Sequence, residues 1–307
     1  MKENLSGQQE YHIPVLLNET IEYLKINENG IYVDCTFGGG GHSKAILEKL
    51  SEKGKLIAFD QDADAKRNLP DDKRIVFIPH NFRHIKRFLL LNGIKEVDGV
   101  LADLGVSSHQ FNEASRGFST RFDANLDMRM DQRQDRKAID VINIFSEQQL
   151  HKMFEQYGEV TNAKTLSKKI VEIRRITSLD TIDGFKSALQ SVVKGAPQKY
   201  FAQVFQALRI EVNDELGALK ELLEQIPQVL KKNGRAAFIT FHSLEDRLVK
   251  VFFKNGTFNQ QDENPFEMTT ISNPLKIITK KPIEATAEEQ KRNSRSRSAK
   301  LRVAEKI

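Results

Sequence analysis

The sequence predicts an α/β fold in which a mostly parallel sheet is interrupted by a helical insertion. Over the first hundred residues, short β-rich runs alternate with amphipathic stretches, a pattern typical of repeated βα units. The alternation stops after Asp103 and resumes only near residue 201. With 307 residues, the chain exceeds the usual single domain of about 100–200 residues, so one domain carrying an insertion is expected.

The individual elements follow in chain order. The early strands are predicted at Ile31–Cys35, Lys55–Asp60, Arg74–Pro79 and Val97–Asp103, with amphipathic stretches near 42–53, 62–68 and 82–92 between them. Helical patterns follow near 146–156, 162–176 and 181–193, and then a long one near 201–230. A turn at Lys231–Gly234, a strand at Arg235–Phe241, a polar loop between Asn255 and Asn273, and β-like runs at Leu275–Lys281 and Lys300–Lys306 complete the prediction. The predicted domains are 1–109 with 207–307, and an insertion at 110–206.

Composition limits the class of protein. Charged residues make up 29% of the chain, and the longest apolar stretches fall far short of the roughly 20 residues of a transmembrane helix, so no membrane association is expected. The only cysteine is Cys35, and the first residues lack the layout of a secretory signal, which together predict a cytoplasmic protein. Cys35 is interpreted as a buried strand residue. The net charge of +5 permits a polyanionic partner.

The segment Lys291–Arg302 is the most basic part of the chain, with six basic residues among twelve and no acidic one. It is a candidate for phosphate contacts, through Arg295, Arg297, Lys300 and Arg302. A solvated tail or a surface strand is the alternative interpretation.

The strongest motif is a glycine-rich turn after the first predicted strand, in IYVDCTFGGGGHSKAIL. Gly38 to Gly41 allow a ligand to approach the backbone and the amides of the following helix. Such turns occur in nicotinamide, flavin and S-adenosylmethionine sites, and a merely tight turn is the alternative. Asp60 ends the next strand, 22 residues after Gly38, close to the roughly 20-residue spacing of a ribose-binding acid. An N-cap is the alternative role for Asp60.

Three further residues follow predicted strands and are candidates for the same site. Asp103 ends the fourth strand, and ligands of open α/β sheets bind outside the carboxyl ends of the strands. A capping residue at a strand-to-loop junction is the alternative role for Asp103. Phe82 follows the third strand, where it is expected to stack on an adenine or to start a helix in the core. His242 follows the fifth strand, but Ser243 and Asp246 match a helix-capping pattern, so helix initiation is the alternative.

Six motifs in order together resemble the bacterial ribosomal RNA small-subunit cytosine-N4 methyltransferase family. The motifs are FGGGGHS, LADLGVSSHQ, RGFS with LDMRMD, FQALRIEVNDEL, FHSLEDR and SRSAKLRVAEK. The resemblance extends from His12 to Lys306. The chain differs from the usual family pattern before FQALRI, where it reads APQKYFAQV, and at Asn293-Ser294.

This resemblance implies a Rossmann-like class I methyltransferase sheet with a helical substrate-recognition insertion, and S-adenosylmethionine as the methyl donor. The implied cofactor contacts are Gly40, Gly41, His42, Asp60, Phe82, Asp103 and Gln110. The implied target is N4 of a decoding-region cytosine in 16S ribosomal RNA, either free or in the assembled small subunit. A monomer and a homodimer both remain open.

Chemistry completes the prediction. Methyl transfer from a sulfonium depends on positioning and requires no metal. A cytosine N4 donates its lone pair into the ring, so it needs an acceptor that holds a proton and aligns the lone pair. Asp103 is the predicted catalytic residue, and together with neighbouring backbone carbonyls it is predicted to orient N4. His242 is predicted to contact the base or to accept a proton. A nicotinamide-dependent dehydrogenase and a catalytically inert RNA-binding factor are the competing hypotheses; cofactor-binding calorimetry and a tritiated-methyl assay distinguish them.

Overall fold

The computed structural model describes residues 14–258 and 272–307, and the chain divides into two compact units. The first unit contains the described residues up to 60, residues 64–105, and the described residues from 221 onward. The second unit contains residues 61–63 and 106–220. His12 and most of the predicted loop between Asn255 and Asn273 lie outside the described residues.

The first unit is built on one sheet, which has eight strands in the described residues. They are β1 (Ile31–Asp34), β2 (Lys55–Phe59), β3 (Ile75–Ile78), β4 (Val97–Asp103), β5 (Leu230–Thr240), β6 (Leu275–Ile277), β7 (Ile283–Glu284) and β8 (Lys300–Lys306). The order is β3-β2-β1-β4-β5-β8-β6, and β7 also pairs with β8. Strands β1 to β5 are parallel, and β8 is antiparallel to its neighbours. The predicted α/β fold and its four early strands are confirmed.

Helices of the first unit cover this sheet. They are α1 (Leu17–Leu24), α2 (Gly41–Lys49), α3 (Ile85–Leu91), α10 (Glu215–Val229, whose first residues belong to the second unit), α11 (Ser243–Asn255) and α12 (Ala287–Arg292). Strands β2 and β4 are buried over most of their length because both faces of a parallel sheet are covered. One core cluster joins Leu56, Leu101 and Ile239 of the sheet to Ile46 of α2 and to Leu301 of β8. The last strand of the chain therefore belongs to the core.

The second unit is helical, as predicted for the insertion. Its helices are α4 (Ser108–Asn112), α5 (Ala138–Ile144), α6 (Glu147–Gly158), α7 (Ala163–Ile173), α8 (Ile182–Leu189) and α9 (Pro197–Asn213). In its described residues the only β pairing is an isolated bridge between Asn125 and Thr181. The short helix α5 was missing from the prediction, because it follows a segment of alternating Arg and Asp with no helical periodicity.

The predicted helix over 201–230 is wrong in one respect, because it is two helices. Asp214 adopts a left-handed backbone with φ 48° and separates α9 from α10. Helix α9 buries Phe201, Phe205 and Leu208 in the core of the second unit. The second unit thus extends from Val106 to Lys220, whereas the predicted insertion covers 110–206.

The predicted turn at Lys231–Gly234 lies within β5 in the structure. The pairing of β4 with β5 shifts register between Val97 and Gly99, and Asn233 has φ 65°. The four residues therefore form an irregularity inside the strand. None of the helices in residues 14–258 and 272–307 is long and apolar enough to span a bilayer.

Candidate active site

The carboxyl ends of the parallel strands meet at one edge of the sheet in the first unit. The strand order reverses direction between β1 and β4, because β2 lies on one side of β1 and β4 on the other. Ligands of open α/β sheets bind at such a reversal, outside the carboxyl ends of the strands. The side chains that follow these strand ends are therefore the candidates for an active site.

The glycine-rich turn joins β1 to α2, as predicted. Gly38 and Gly40 have φ values of 50° and 75°, a region that L side chains rarely adopt. A Cβ atom on Gly41 would lie 2.2 Å from Pro14 Cγ. The turn therefore requires glycine both for its backbone conformation and for close packing.

Asp60 follows β2 and holds this turn. Its Oδ2 accepts a hydrogen bond from the backbone N–H of Gly38 at 2.7 Å. On the other side of the turn, the Asn68 amide donates to the Gly38 carbonyl at 2.9 Å. The two residues predicted to form a nucleoside site from their spacing are thus in direct contact. A carboxylate offers about four lone-pair sites, so Asp60 can also accept hydroxyl groups of a ligand.

His42 and Asp103 lie next to each other. The ring of His42 is 6% exposed, and its Nε2 lies 3.0 Å from the Val15 carbonyl, which can only accept. Nε2 therefore carries a hydrogen. Nδ1 lies 3.5 Å from Asp103 Oδ2, an attractive contact when one proton is present on either partner. The Asp103 side chain is thus oriented by the helix that follows the glycine turn.

The electrostatic surroundings of Asp103 favour its protonated form. Burial raises the pKa of Asp103 well above its usual range, and the negative charges of Asp34 and Glu245 raise it further. The positive charge of Arg295 opposes this increase. A carboxyl group with a raised pKa is a better proton acceptor when it is ionised, as a general base requires.

Asp34, at the end of β1, was not among the predicted site residues. It is 1% exposed, and burial raises its pKa although Ser43 Oγ donates to Oδ2 at 2.7 Å and the Thr36 N–H donates to Oδ1 at 3.0 Å. Thr36 Oγ1 in turn accepts from the Asp103 N–H at 2.7 Å. The signal was present in the sequence, because an acid ends the apolar run IYVD directly before the glycine turn.

His242 forms the N-cap of α11, and the predicted capping pair is wrong by one residue. The cap is formed by His242 and Glu245, not by Ser243 and Asp246: Nδ1 of His242 accepts from the Glu245 N–H at 3.4 Å, and Glu245 Oε2 accepts from the His242 N–H at 3.4 Å. Asp246 is bound instead by Arg302. Glu245 was missed because the capping motif was assigned to its neighbours.

Two buried polar atoms at this edge have no hydrogen-bond partner among the described residues. They are Oδ1 of Asp103 and Nε2 of His242. The His242 Nε2 lies 3.1 Å from Glu245 Oε1, an ion-pair distance without hydrogen-bond geometry. Buried polar atoms are nearly always paired, so an unpaired acceptor and donor indicate a site for a ligand.

The two remaining predicted cofactor contacts are Phe82 in the first unit and Gln110 in the second. Phe82 is half-buried and begins a single 3₁₀ turn, Phe82–His84, after β3. Gln110 belongs to the second unit, where its side chain is buried. Its amide donates to Asp62 at 2.8 Å and its oxygen accepts from the Ser107 N–H at 3.1 Å. Both ends of the Gln110 side chain are thus engaged within that unit.

The basic tail divides into two parts. Arg302 is 8% exposed in β8 and forms a two-pronged ion pair with Asp246, at 2.6 and 3.0 Å, so its prediction as a phosphate contact is wrong. Arg295 and Arg297 lie in the short 3₁₀ helix Ser294–Ser298 that precedes β8. Arg297 is exposed, whereas Arg295 is half-buried and interacts with Asp103.

Comparison with known proteins identifies the family of this chain. The profile of the MraW methylase family matches residues 9–307. A protein of Flavobacterium johnsoniae named ribosomal RNA small subunit methyltransferase H is 54% identical over 304 residues, covering 99% of this chain and 100% of its own length. Proteins of the same name from Azobacteroides pseudotrichonymphae and Cytophaga hutchinsonii are both 52% identical, over 298 and 299 residues, covering 97% and 96% of this chain and 98% and 99% of their own lengths. The chain therefore belongs to the MraW methylase family.

Proposed function

We propose that the protein transfers a methyl group from S-adenosylmethionine to N4 of a cytosine in the decoding region of 16S small-subunit ribosomal RNA. The protein is an S-adenosylmethionine-dependent methyltransferase of its family. The RNA substrate comes from the name of the relatives, ribosomal RNA small subunit methyltransferase H. The observation that carries the choice of an amino group is the unpaired, buried Oδ1 of Asp103.

The residues at the sheet edge fit S-adenosylmethionine. When bound, it supplies a methyl group on a positively charged sulfonium. Gly39 is the position of the glycine turn with open space on its Cβ side, Gly40, Gly41 and His42 at the start of α2 are the proposed backbone contacts, and Asp60 supplies a carboxylate for ribose hydroxyls. In their ionised forms, the carboxyl groups of Asp34, which is 1% exposed, and Asp103, which is 20% exposed, would attract a cationic ligand at the ends of β1 and β4. Phe82 and Gln110 remain proposed contacts to the adenine and the methionine end.

Asp103 is the proposed catalytic residue for the nucleophile. An N4 amino group carries two hydrogens and donates its lone pair into the ring, so an acceptor that holds one hydrogen also aligns the lone pair. Oδ1 of Asp103 would accept that hydrogen bond and take the proton that leaves N4, as the N–C bond forms, the methyl–sulfur bond breaks and the donor leaves as a neutral thioether. Oδ2 faces Nδ1 of His42, which therefore keeps the carboxyl group in a fixed orientation.

RNA binding is proposed to involve both units. The exposed side chains of Arg297 and Arg292 in the first unit are suited to phosphate contacts, because guanidinium groups bind phosphate oxygens in pairs. The second unit is proposed to recognise the RNA around the target. A flipped target base loses a few kcal/mol of stacking, which contacts to the flanking strand can offset.

The test is methyl transfer followed by nucleoside analysis. Purified protein is incubated with tritiated S-adenosylmethionine and, in separate arms, protein-free 16S RNA and small subunits from cells lacking this enzyme. We expect N4-methylcytidine in at least one arm, and its loss with Asp103→Ala. Formation of 5-methylcytidine would contradict the proposal, since C5 methylation requires a nucleophilic cysteine, and burial raises the pKa of the Cys35 thiol well above its usual value.

A further inference from the structure

The hydrogen of the His242 ring has a fixed position. Nδ1 accepts the backbone N–H of Glu245 at 3.4 Å, so Nδ1 is unprotonated and Nε2 carries the hydrogen. Nε2 is buried and is one of the atoms without a hydrogen-bond partner in the part of the chain that the structure describes. His242 is therefore a donor at this site. A role as proton acceptor would first require its Nδ1 contact to break.

Glu245 holds this donor in place. Its side chain is 3% exposed, and its Oε2 accepts from the Phe241 N–H at 2.9 Å and from the His242 N–H at 3.4 Å. These two contacts fix the carboxylate against the start of α11. Its other oxygen, Oε1, lies 3.1 Å from His242 Nε2 and attracts the ring edge that carries the hydrogen. Glu245 thus orients the ring through both its backbone and its side chain.

The donor and the acceptor follow neighbouring strands. Asp103 ends β4 opposite Ile239 of β5, and the Leu104 N–H donates to the Ile239 carbonyl at 2.9 Å. His242 comes three residues after Ile239. A Cβ atom on Gly105 would lie 3.6 Å from the Phe241 ring, so the two chain segments remain close beyond the strands. One unpaired acceptor and one unpaired donor therefore face the same edge of the sheet.

We infer that His242, positioned by Glu245, donates a hydrogen bond from Nε2 to N3 of the target cytosine while Asp103 Oδ1 accepts one from N4. This inference rests on the proposed function. Cytosine presents a donor at N4 and an acceptor at N3, whereas uracil presents an acceptor at O4 and a donor at N3. The Asp103 and His242 pair therefore matches cytosine at two adjacent atoms and opposes uracil at both. Glu245 is a positioning residue, and His242 is the residue that touches the base.

The test combines a change in the substrate with changes in the enzyme. Small subunits are reconstituted with 16S RNA that carries cytosine or 3-deazacytosine at the methylated position, the latter having C–H in place of N3. The ratio of kcat/KM for the two substrates measures the dependence on N3. For the wild-type enzyme we expect a ratio of about ten or more, as for other base-specific hydrogen bonds.

The enzyme variants separate recognition from folding. His242→Ala should reduce the ratio to about one, and His242→Gln, which keeps a donor, should recover part of it. Glu245→Gln keeps a side chain that completes a capping box but removes the charge opposite Nε2, so an intermediate ratio is expected. Glu289→Gln is the matched control, because Glu289 also follows a helix cap and accepts a single backbone N–H, that of Leu16, and its ratio should equal that of the wild type.

Two results would overturn the inference, and they are distinguishable. If the wild type produces N4-methylcytosine and its ratio is the same as that of His242→Ala, His242 does not bind N3. If the wild type produces no N4-methylcytosine from the cytosine substrate, the proposed function itself fails and the inference fails with it. Melting temperatures and S-adenosylmethionine affinities of the variants, measured in parallel, identify any variant that is unfolded, in which case His242→Gln decides.

Discussion

Asp60 offers the most direct test of the cofactor site, because its side chain both holds the glycine turn and is proposed to bind the ligand. Its Oδ2 accepts the Gly38 N–H at 2.7 Å, and it is proposed to bind the ribose hydroxyls. Asp60→Asn retains an oxygen that can accept from Gly38 but loses the negative charge. Asp60→Ala removes both contacts.

The expected magnitude follows from these contacts. A hydrogen bond to a charged group contributes about 1.5–3 kcal/mol, so Asp60→Ala should weaken S-adenosylmethionine binding by roughly 10- to 150-fold. Asp60→Asn loses only the charge assistance, which makes a hydrogen bond about twice as strong, and should weaken binding by roughly 3- to 10-fold. Asp60→Ala should therefore bind S-adenosylmethionine more weakly than Asp60→Asn, and Asp60→Asn more weakly than the wild type. This order depends on the Gly38 contact.

Isothermal titration calorimetry with S-adenosylmethionine measures both variants. Asp72→Ala is a suitable control, because Asp72 also pairs with a neighbouring group, the Arg74 guanidinium at 2.6 Å, but precedes β3 at the opposite end of the strands. An affinity unchanged by Asp60→Ala would refute the ribose assignment. Equal losses in Asn and Ala would refute the argument that the Gly38 contact matters for binding.

Three further predictions concern Asp103 and the tail. Asp103 accepts a proton only when the pH exceeds its raised pKa, so the rate of single-turnover methylation should fall as the pH is lowered through that pKa. Arg295→Gln removes a positive charge that lowers the pKa of Asp103, and should therefore move this fall in rate to higher pH. An unchanged pH profile would contradict the role of Arg295. If Arg297 binds one phosphate, Arg297→Gln should reduce the slope of log RNA affinity against log salt concentration by about one unit and leave S-adenosylmethionine affinity unchanged. An unaltered slope would mean that Arg297 does not contact a phosphate. Asp246→Ala leaves Arg302 buried without its carboxylate and should lower the free energy of unfolding by about 3–5 kcal/mol in urea titrations, and a loss below about 1 kcal/mol would mean that the pair is not effectively buried.

Local sequence patterns were sufficient for most of the fold. The parallel strands are short apolar runs bounded by polar residues. Because they are buried on both faces, these runs are readily identified as strands rather than helices. The division between α9 and α10 was not predictable from periodicity, because the helical pattern continues through Asp214 and only the left-handed backbone at that residue interrupts it. The extent of the insertion was missed because periodicity does not show that the aromatic residues of α9 pack into the core of the second unit.

Site residues could be predicted from the sequence where their position at a strand end was sufficient to identify them. They could not be predicted where their role depends on a partner that is distant in the sequence. Asp60 and Asp103 were identified by position, but the contact of His42 with Asp103 requires knowing that α2 begins beside the end of β4. Arg295 and Arg302 show the limit most clearly. They are seven residues apart in one basic segment, yet one modifies the pKa of the proposed base and the other is buried against Asp246.

The position of β8 explains why these neighbours differ. It is the last strand of the chain but lies between β5 and β6, and its pairing with β5 brings Arg302 opposite Phe238 and Lys300 opposite Thr240. Because β8 is antiparallel to β5, it begins at the edge where the parallel strands end. The residues that precede β8, including Arg295, therefore lie at the candidate active site. The residues within β8 belong to the core. The sequence pattern predicts one basic surface, but the direction of β8 divides the segment in two. Arg295, before the strand, modifies the pKa of Asp103, and Arg302, within the strand, is buried in the sheet.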